Sequence, residues 1–381
     1  MLDMMNLNYD KERVAIASDL RKRWYKGEKT ERTPFVFTVT SKQSEGMVGA
    51  GSRYNFQEIC EDAKKAVEWT ISSIQNQFDN FPDCDFLPVM NPYYLGQGIL
   101  AAIYGSEQVL DKNYPPFSNR RLYSTIYEAA EISNDFEIEK TTWGQILKEH
   151  IELFIETTGG QIPVGVADYQ SPYGTATKLM PNEELMLAMY DEPELVHKFF
   201  SGVTDGIINL IRAMERWIGV ENIAHNVTNP IPGECGLSLW DDYISVITPG
   251  LHMEFCGPYN RKLFDVFGSG HLHTCGPYFP GYIDACIACK PRSMDVTIMR
   301  GMGKTKEDIL AFLKITKEND ILLFLGLETN DEHIFNDEWK KPGPELVKTF
   351  IEGGYMPSAS GTYEEGLAFK KMIEDIDRGA I

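Results

Sequence analysis

Short apolar runs rich in Val, Ile and Phe recur from about residue 35, each separated from the next by a long stretch of helical periodicity. They fall at 35–40, 85–90, 162–167, 222–227, 270–275, 294–299 and 321–327, with a short last run at 354–358. No two of them are joined by a two-residue hairpin turn, so parallel pairing through helical crossovers is favoured. The intervening stretches 56–76, 127–157, 192–217, 306–319 and 362–378 carry apolar residues at three- and four-residue intervals. Asn182 before Glu183-Glu184-Leu185 reads as an N-cap. There is no fixed-period repeat, low-complexity tract or Gly/Ser linker. Unbroken strand–helix units predict an α/β chain. It would be a single (β/α)8 TIM barrel over residues 34–381, preceded by a helical N-terminal extension over residues 1–33. A doubly wound sheet is the alternative, but no Gly-rich phosphate loop follows a strand. Gly301-Met302-Gly303-Lys304-Thr305 lacks the first glycine of a P-loop at its proper spacing.

Charge narrows the partners. There are 36 Lys+Arg against 56 Asp+Glu, a net charge of −20. Nucleic acid and anionic membrane surfaces both draw on clustered cations, so neither is expected as a partner. The polar residues 1–29 contain no signal-peptide stretch, and nothing approaches the roughly 20 apolar residues of a membrane span. Seven scattered cysteines suit reduced thiols in a cytoplasmic protein better than a disulfide framework. In such a chain the glycosylation triplet Asn226-Val227-Thr228 is a chance match.

In a parallel barrel, reactive groups collect where strands end. His271-Leu272-His273-Thr274-Cys275-Gly276 is the most informative such segment. At a period of two, His271, His273 and Cys275 share one side, with His273 and Cys275 nearer the mouth. An imidazole beside a thiolate makes a corner for zinc; a hydrogen-bonded core histidine beside an inert thiol is the plainer account. Cys286 and Cys289 form Cys-x-x-Cys. They fall in a segment that reads as the helix running back down outside the barrel, so they are expected to line its buried face. Glu234 and Cys235, in the loop 230–236, are better third ligands and would leave a position open for substrate. Asp168, Tyr169 and Gln170 end another strand. Asn229, His252, Glu254, Glu328 and Ser358 lie near other strand ends, and for each an ordinary hydrogen-bonding role is favoured over a catalytic one. Tyr93, Tyr94 and Trp240 could wall an apolar pocket or simply fill the core.

With these residues in hand, the chain resembles the uroporphyrinogen decarboxylase superfamily, and more closely its corrinoid-dependent methyltransferase branch. The resemblance runs from about Pro34 to the C-terminus. It is strongest from Asp168-Tyr169-Gln170-Ser171-Pro172 through Leu185–Val196, with further markers at Gly98-Ile99-Leu100-Ala101-Ala102, at the His271–Gly276 segment and at Gly353-Gly354-Tyr355. It implies a (β/α)8 barrel, in agreement with the strand–helix pattern. The decarboxylases grip porphyrin carboxylates with an Arg-rich loop after the first strand; residues 38–46 here contain no arginine. The methyltransferases bind zinc through a His-x-Cys pair, matched by His273 and Cys275, and often a last cysteine near the final strand. That stretch reads Met356-Pro357-Ser358-Ala359-Ser360-Gly361 here, so the thiol is missing and Cys235 or Glu234 stands in.

The resemblance implies a barrel that holds a small methylated substrate, such as a methoxylated aromatic, while a separate corrinoid protein docks over the mouth. Zinc would act as a Lewis acid on the heteroatom carrying the methyl group. Asp168, His252 or Glu254 would protonate the departing oxygen, and Tyr169, Gln170, Tyr93, Asn229 and Trp240 would contact substrate. The chain lacks the Asp-x-His-x-x-Gly corrinoid loop, so the corrinoid comes from the partner. The setting would be O-demethylation in anaerobic one-carbon metabolism, and since barrels of this family often pair, a homodimer is one expectation. The alternatives are a metal-free decarboxylase using Asp168 and Tyr169, a non-catalytic corrinoid- or small-ligand-binding barrel, and an unrelated enzyme on a common scaffold.

Overall fold

Ten strands are present among the described residues, which in this computed structural model are 7–39, 53–225, 236–274, 281–297, 306–328 and 344–380. They are β1 (Val36–Val39), β2 (Gln108–Val109), β3 (Phe117–Ser118), β4 (Val164–Gly165), β5 (Ile223–Ala224), β6 (Leu237–Trp240), β7 (Gly270–His273), β8 (Ser293–Thr297), β9 (Leu322–Glu328) and β10 (Met356–Gly361). Asn229, Glu234, Cys235 and Cys275 lie outside the described residues, as do 226–228 and 301–305.

Six strands form one sheet in the order β1-β10-β9-β8-β7-β6, all pairings parallel. Backbone hydrogen bonds continue beyond it. Ser238 N–H donates to the His225 carbonyl at 2.6 Å, β5 pairs in parallel with β4, and β4 bridges to Met90. Asp85 N–H then donates to the Phe35 carbonyl at 2.8 Å, back at the start of β1. The strand–helix alternation thus gives the expected α/β barrel arrangement, most of its strands within a few residues of the apolar runs.

The differences have local causes. Residues 85–90 form no named strand and contribute the bridge at Met90 and the Asp85–Phe35 bond. The Asp85 carboxylate is committed to the Arg32 guanidinium at 2.6 and 2.7 Å and to Phe35 N–H at 3.0 Å, and Pro88 has no N–H for a ladder. β6 is an additional strand, hidden in sequence behind the Gly- and Pro-containing loop before it. Its entry depends on Gly236, at φ +89°, where a Cβ would stand 2.4 Å from the Ser269 backbone. The antiparallel β2–β3 pair is likewise additional.

Helices follow their caps. The stretch 56–76 is two helices, Phe56–Glu61 and Ala63–Asn80, because Asp62 turns outward to accept from Lys64 and Lys65 N–H. The stretch 127–157 is Ile126–Ala129, a 3-10 turn Ile138–Lys140, and Thr142–Thr158 capped by Thr141. Pro181, not Asn182, is the residue before helix Asn182–Asp191. Helix Pro193–Ile218 buries Val196, Phe199, Phe200, Val203, Ile207, Leu210, Ile211 and Met214 on one stripe; each such side chain is worth roughly 1.5–3 kcal/mol of transfer free energy.

The N-terminal helix Lys11–Tyr25 packs at the strands' N-terminal ends. Trp24 meets the Phe324 ring edge-on at 5.2 Å, Tyr25 Oη lies 3.5 Å from Ser269 Oγ, and Arg292 donates to the Tyr25 carbonyl. The opposite ends are left for chemistry. No helix among the described residues is long and apolar enough to cross a membrane.

Candidate functional site

Parallel register builds the site. Trp240 of β6 is opposite His273 of β7, and His273 is opposite Asp295 of β8. Residues in register on neighbouring strands point to the same face about 4.8 Å apart, so Trp240, His273 and Asp295 line up across three strands. One step deeper, Ser238, His271 and Ser293 form a parallel row.

The two rows meet at Asp295. One carboxylate oxygen lies 2.7 Å from His273 Nδ1 and the other 2.9 Å from His271 Nε2. Burial pushes this carboxyl up, but His273 and His271 outweigh it and hold Asp295 well below the usual carboxylate range. An ionised Asp295 can only accept, so His273 donates to it through Nδ1, and in its neutral form the ring presents an Nε2 lone pair. That atom faces Asp242 Oδ1 at 3.7 Å. His271 is buried, its Nδ1 2.8 Å from Ser293 Oγ, and it supports rather than lines the mouth.

A second network pins the same strand ends from behind. Asp241 N–H donates to the His273 carbonyl at 2.9 Å, and Ser171 N–H to the Trp240 carbonyl at 2.6 Å. The Asp241 carboxylate accepts from Ser171 Oγ at 3.1 Å, Asn260 Nδ2 at 2.6 Å and His252 Nε2 at 2.7 Å. Burial raises the Asp241 carboxyl, but His252 and the amide and hydroxyl donors more than reverse it. Tyr169 Oη donates to the Ser238 carbonyl, so Tyr169 is a brace between the β4 loop and β6.

Asp168 is 4% exposed and accepts from Gln170 Nε2 at 2.9 Å. Burial, aided by the nearby Asp242 charge, pushes its carboxyl up to about 7 against the pull of Gln170, His273 and Lys178. Gln170 reaches it from a left-handed backbone, φ 59°, a conformation that costs a non-glycine residue of order 1 kcal/mol and is concentrated at functional sites.

A cavity of about 860 Å³ opens here, lined by Asn91, Tyr93, Phe117, Asp168 and Trp240 among others. Arg121 and Lys178 also border it. Trp240 connects it to the strand-end cluster, its ring centroid 5.2 Å from that of His273. Asn91 Oδ1 and Trp240 Nε1 are buried with no hydrogen-bond partner among the described residues, an acceptor and a donor in the cavity wall.

Of the residues singled out in sequence, Asp168, Tyr93 and Trp240 come together, with His273 alongside. Tyr169 and Gln170 stand behind them as a brace and as a partner of Asp168. His252 is fully buried in the Asp241 network, and Glu254 is exposed on the π-helical turn His252–Cys256; neither borders the cavity. Cys286 and Cys289 are both buried on helix Tyr282–Ala288 and its C-cap, as expected. Asp295, Asp241 and Asp242 were not anticipated. An aspartate inside an otherwise apolar strand was the available signal for Asp295; Asp241 and Asp242 required knowing that β6 exists.

Two donor sets could hold a divalent ion. Asp241, His252 and Cys289 bring donor atoms within 4.8 Å of one another, all buried. That set is already bonded internally, with Asn260 Nδ2 also 3.6 Å from Cys289 Sγ, and burial pushes the thiol well up. At the cavity edge, the 3.7 Å between His273 Nε2 and Asp242 Oδ1 is close to the roughly 3.3 Å between ligands of a tetrahedral zinc. The Asp295–His273 pair supplies the carboxylate that orients most metal-binding imidazoles.

Residues 17–217 match the family described as Uroporphyrinogen decarboxylase (URO-D). No curated protein sequence matches the chain. Among solved structures, a methyltransferase from Methanosarcina mazei superposes with a TM-score of 0.62 at 16% identity, over 91% of this chain and 92% of that one. A barrel whose strand ends converge on one cavity, matched to this family over more than half its length, belongs to the uroporphyrinogen decarboxylase family.

Proposed function

We propose that the chain is a methyltransferase that moves a methyl group from a small methylated compound, such as a methoxylated aromatic, to the cobalt of a separate corrinoid protein. The observation that carries this reading is the His273–Asp295 pair, set beside a cavity walled by Tyr93 and Trp240. The structural likeness to a protein named a methyltransferase supports it.

His273 and Cys275 would hold zinc, with one of Asp242, Cys235 and Glu234 as third ligand and the fourth position left to substrate. Bound there, zinc supplies Lewis acidity toward the heteroatom that carries the methyl group. Asp295 fixes the His273 ring and tautomer. Tyr93 and Trp240 hold an aromatic body and exclude water. Asp168, protonated up to about pH 7, supplies the proton that the departing oxygen requires. Asp241 and His252 keep the ends of β6 and β7 in place, and Glu254 remains a surface acid. The acidic chain would meet a corrinoid protein through a basic rim on the partner.

The test combines zinc content of the purified chain with absorbance-monitored methylcobalamin formation over a panel of methoxylated and methylamine compounds. Formation of methylcobalamin that disappears in His273→Ala supports the reading; activity persisting without metal sinks it. A metal-free decarboxylase is the second reading, favoured by a buried carboxyl that keeps its proton near neutrality. Release of carbon dioxide without cobalt methylation would select that one.

A further inference from the structure

A continuous line of hydrogen-bonded side chains runs from the core to the rim through Ser293, His271, Asp295 and His273. Ser293 Oγ lies 2.8 Å from His271 Nδ1, and His271 Nε2 lies 2.9 Å from one Asp295 oxygen. The other Asp295 oxygen lies 2.7 Å from His273 Nδ1. Register builds this line, because His271 is opposite Ser293 and His273 opposite Asp295 on β7 and β8. Ser293 and His271 are buried and do not border the cavity, so neither meets a substrate there. Keeping a hydroxyl and an imidazole in the core carries a desolvation cost that an apolar pair in the same places would avoid.

The hydrogens run in one direction. An ionised Asp295 accepts at both oxygens, so His271 donates to it through Nε2. In the neutral ring Nδ1 is then an acceptor, and the Ser293 hydroxyl is the donor it faces. The ring is committed to β8 rather than β6. Ser238, opposite His271 on β6, has a buried Oγ with no hydrogen-bond partner among the described residues. Packing completes the hold. The Phe324 ring meets that of His271 edge-on at 5.2 Å, and Trp24 of the N-terminal helix meets Phe324 edge-on in turn.

We infer that Ser293 and His271 are positioning residues for His273: the hydroxyl holds the buried ring, the ring's Nε2–H occupies one Asp295 oxygen, and the other oxygen is thereby aimed at His273 Nδ1. The terminal torsion of an aspartate is broad. A carboxylate anchored at a single oxygen can swing and take the His273 ring with it, whereas one anchored at both is fixed. Sites that act through a single ring nitrogen need that ring held to a fraction of an ångström. The inference rests on the methyl-transfer reading for the use of His273 alone, since the same line of bonds orients the imidazole whatever it serves.

The test reads His273 itself in the full chain, with no metal, substrate or corrinoid protein added. Nitrogen-15 spectra of the imidazoles show which ring nitrogen carries hydrogen, and the seven histidines are assigned by substituting them singly. Hydrogen is expected on His271 Nε2 with Nδ1 bare, and on His273 Nδ1. Ser293→Ala and His271→Leu should each speed solvent exchange of the His273 Nδ1–H at least about tenfold, the scale of one lost hydrogen bond. His271→Gln should keep exchange slow, because its amide nitrogen can stand where Nε2 stood; a purely space-filling role would make Gln and Leu alike. Each variant is read well below its thermal unfolding midpoint. Zinc alone is then titrated into the same proteins. Ser293→Ala and His271→Leu should bind it about tenfold more weakly, and His271→Gln nearly as well as the native chain. Hydrogen on His271 Nδ1, unchanged His273 exchange in Ser293→Ala and His271→Leu, or equal loss in the Gln and Leu variants would overturn the inference. The expected exchange pattern in a chain that binds no zinc would instead remove the proposed metal chemistry and leave this positioning standing.

Discussion

His273 Nδ1 lies 2.7 Å from the Asp295 carboxylate across two adjacent parallel strands, and the same carboxylate holds His271 at 2.9 Å. One acid therefore sets the orientation of both imidazoles. Asp295→Asn keeps the shape but removes the charge and one acceptor. Zinc affinity and methyl transfer are expected to fall about 10–100-fold, the usual effect of losing a carboxylate behind a metal-binding histidine. Because Asp295 titrates below its ordinary value, its contribution to stability is present above the unfolded carboxylate pKa and is lost as pH falls through the folded one. Acid unfolding of the variant should accordingly lose part of its steepness below about pH 4. Unchanged metal content and an unchanged acid limb would contradict this role.

Asp168 predicts the opposite pH behaviour. Its unfolded carboxyl titrates near 3.8 and its folded one near 7. Below the lower value it is protonated in both states. Between the two only the unfolded chain ionises, so stability falls as pH rises, by up to roughly 4 kcal/mol, and above 7 this contribution levels off. Asp168→Asn should flatten denaturation midpoints across that window. Methyl transfer in the native chain should decline above pH 7, and in the variant it should be low throughout.

Metal content distinguishes the two donor sets. His273→Ala should empty the chain of zinc with a modest change in thermal unfolding. His252→Ala should retain zinc but destabilise by about 3–5 kcal/mol, because it removes a partner from the buried Asp241 charge. The reverse pattern, zinc lost with His252 and kept without His273, would place the ion at Asp241, His252 and Cys289.

Gly270 opens β7 where a Cβ would lie 1.9 Å from the Phe264 ring. Gly270→Ala should therefore cost about 1–3 kcal/mol by overpacking, read as a lowered unfolding temperature. Adding Phe264→Leu should restore part of it. A neutral Gly270→Ala would show that β7 has room to shift.

The parts of the site that were legible in sequence are those set by local periodicity. His271 and His273 share a face because a strand alternates, and Asp168 ends its strand where the apolar run stops. Asp295 becomes their partner only through the β7–β8 register, which no local pattern encodes. Asp241 and Asp242 escaped because β6 is four residues long and follows a loop of Pro and Gly, so its ends could not be recognised as strand ends. Asp85–Met90 has strand-like composition, but Arg21 occupies the Asp85 carbonyl and Pro88 has no N–H to give a ladder. His252 looked like a rim acid–base group from its position alone; its burial against Asp241 is a tertiary fact.

The Leu179 carbonyl, at the end of helix Pro172–Leu179, accepts from both Leu122 and Tyr123 N–H and so ties together two segments that border the cavity. Arg121 cannot be drawn aside to admit a bulkier guest without dragging the helix that bears Lys178. Relatives adapted to longer molecules would have to rebuild this fastening, and changes of substrate range should first be sought in the few residues around it.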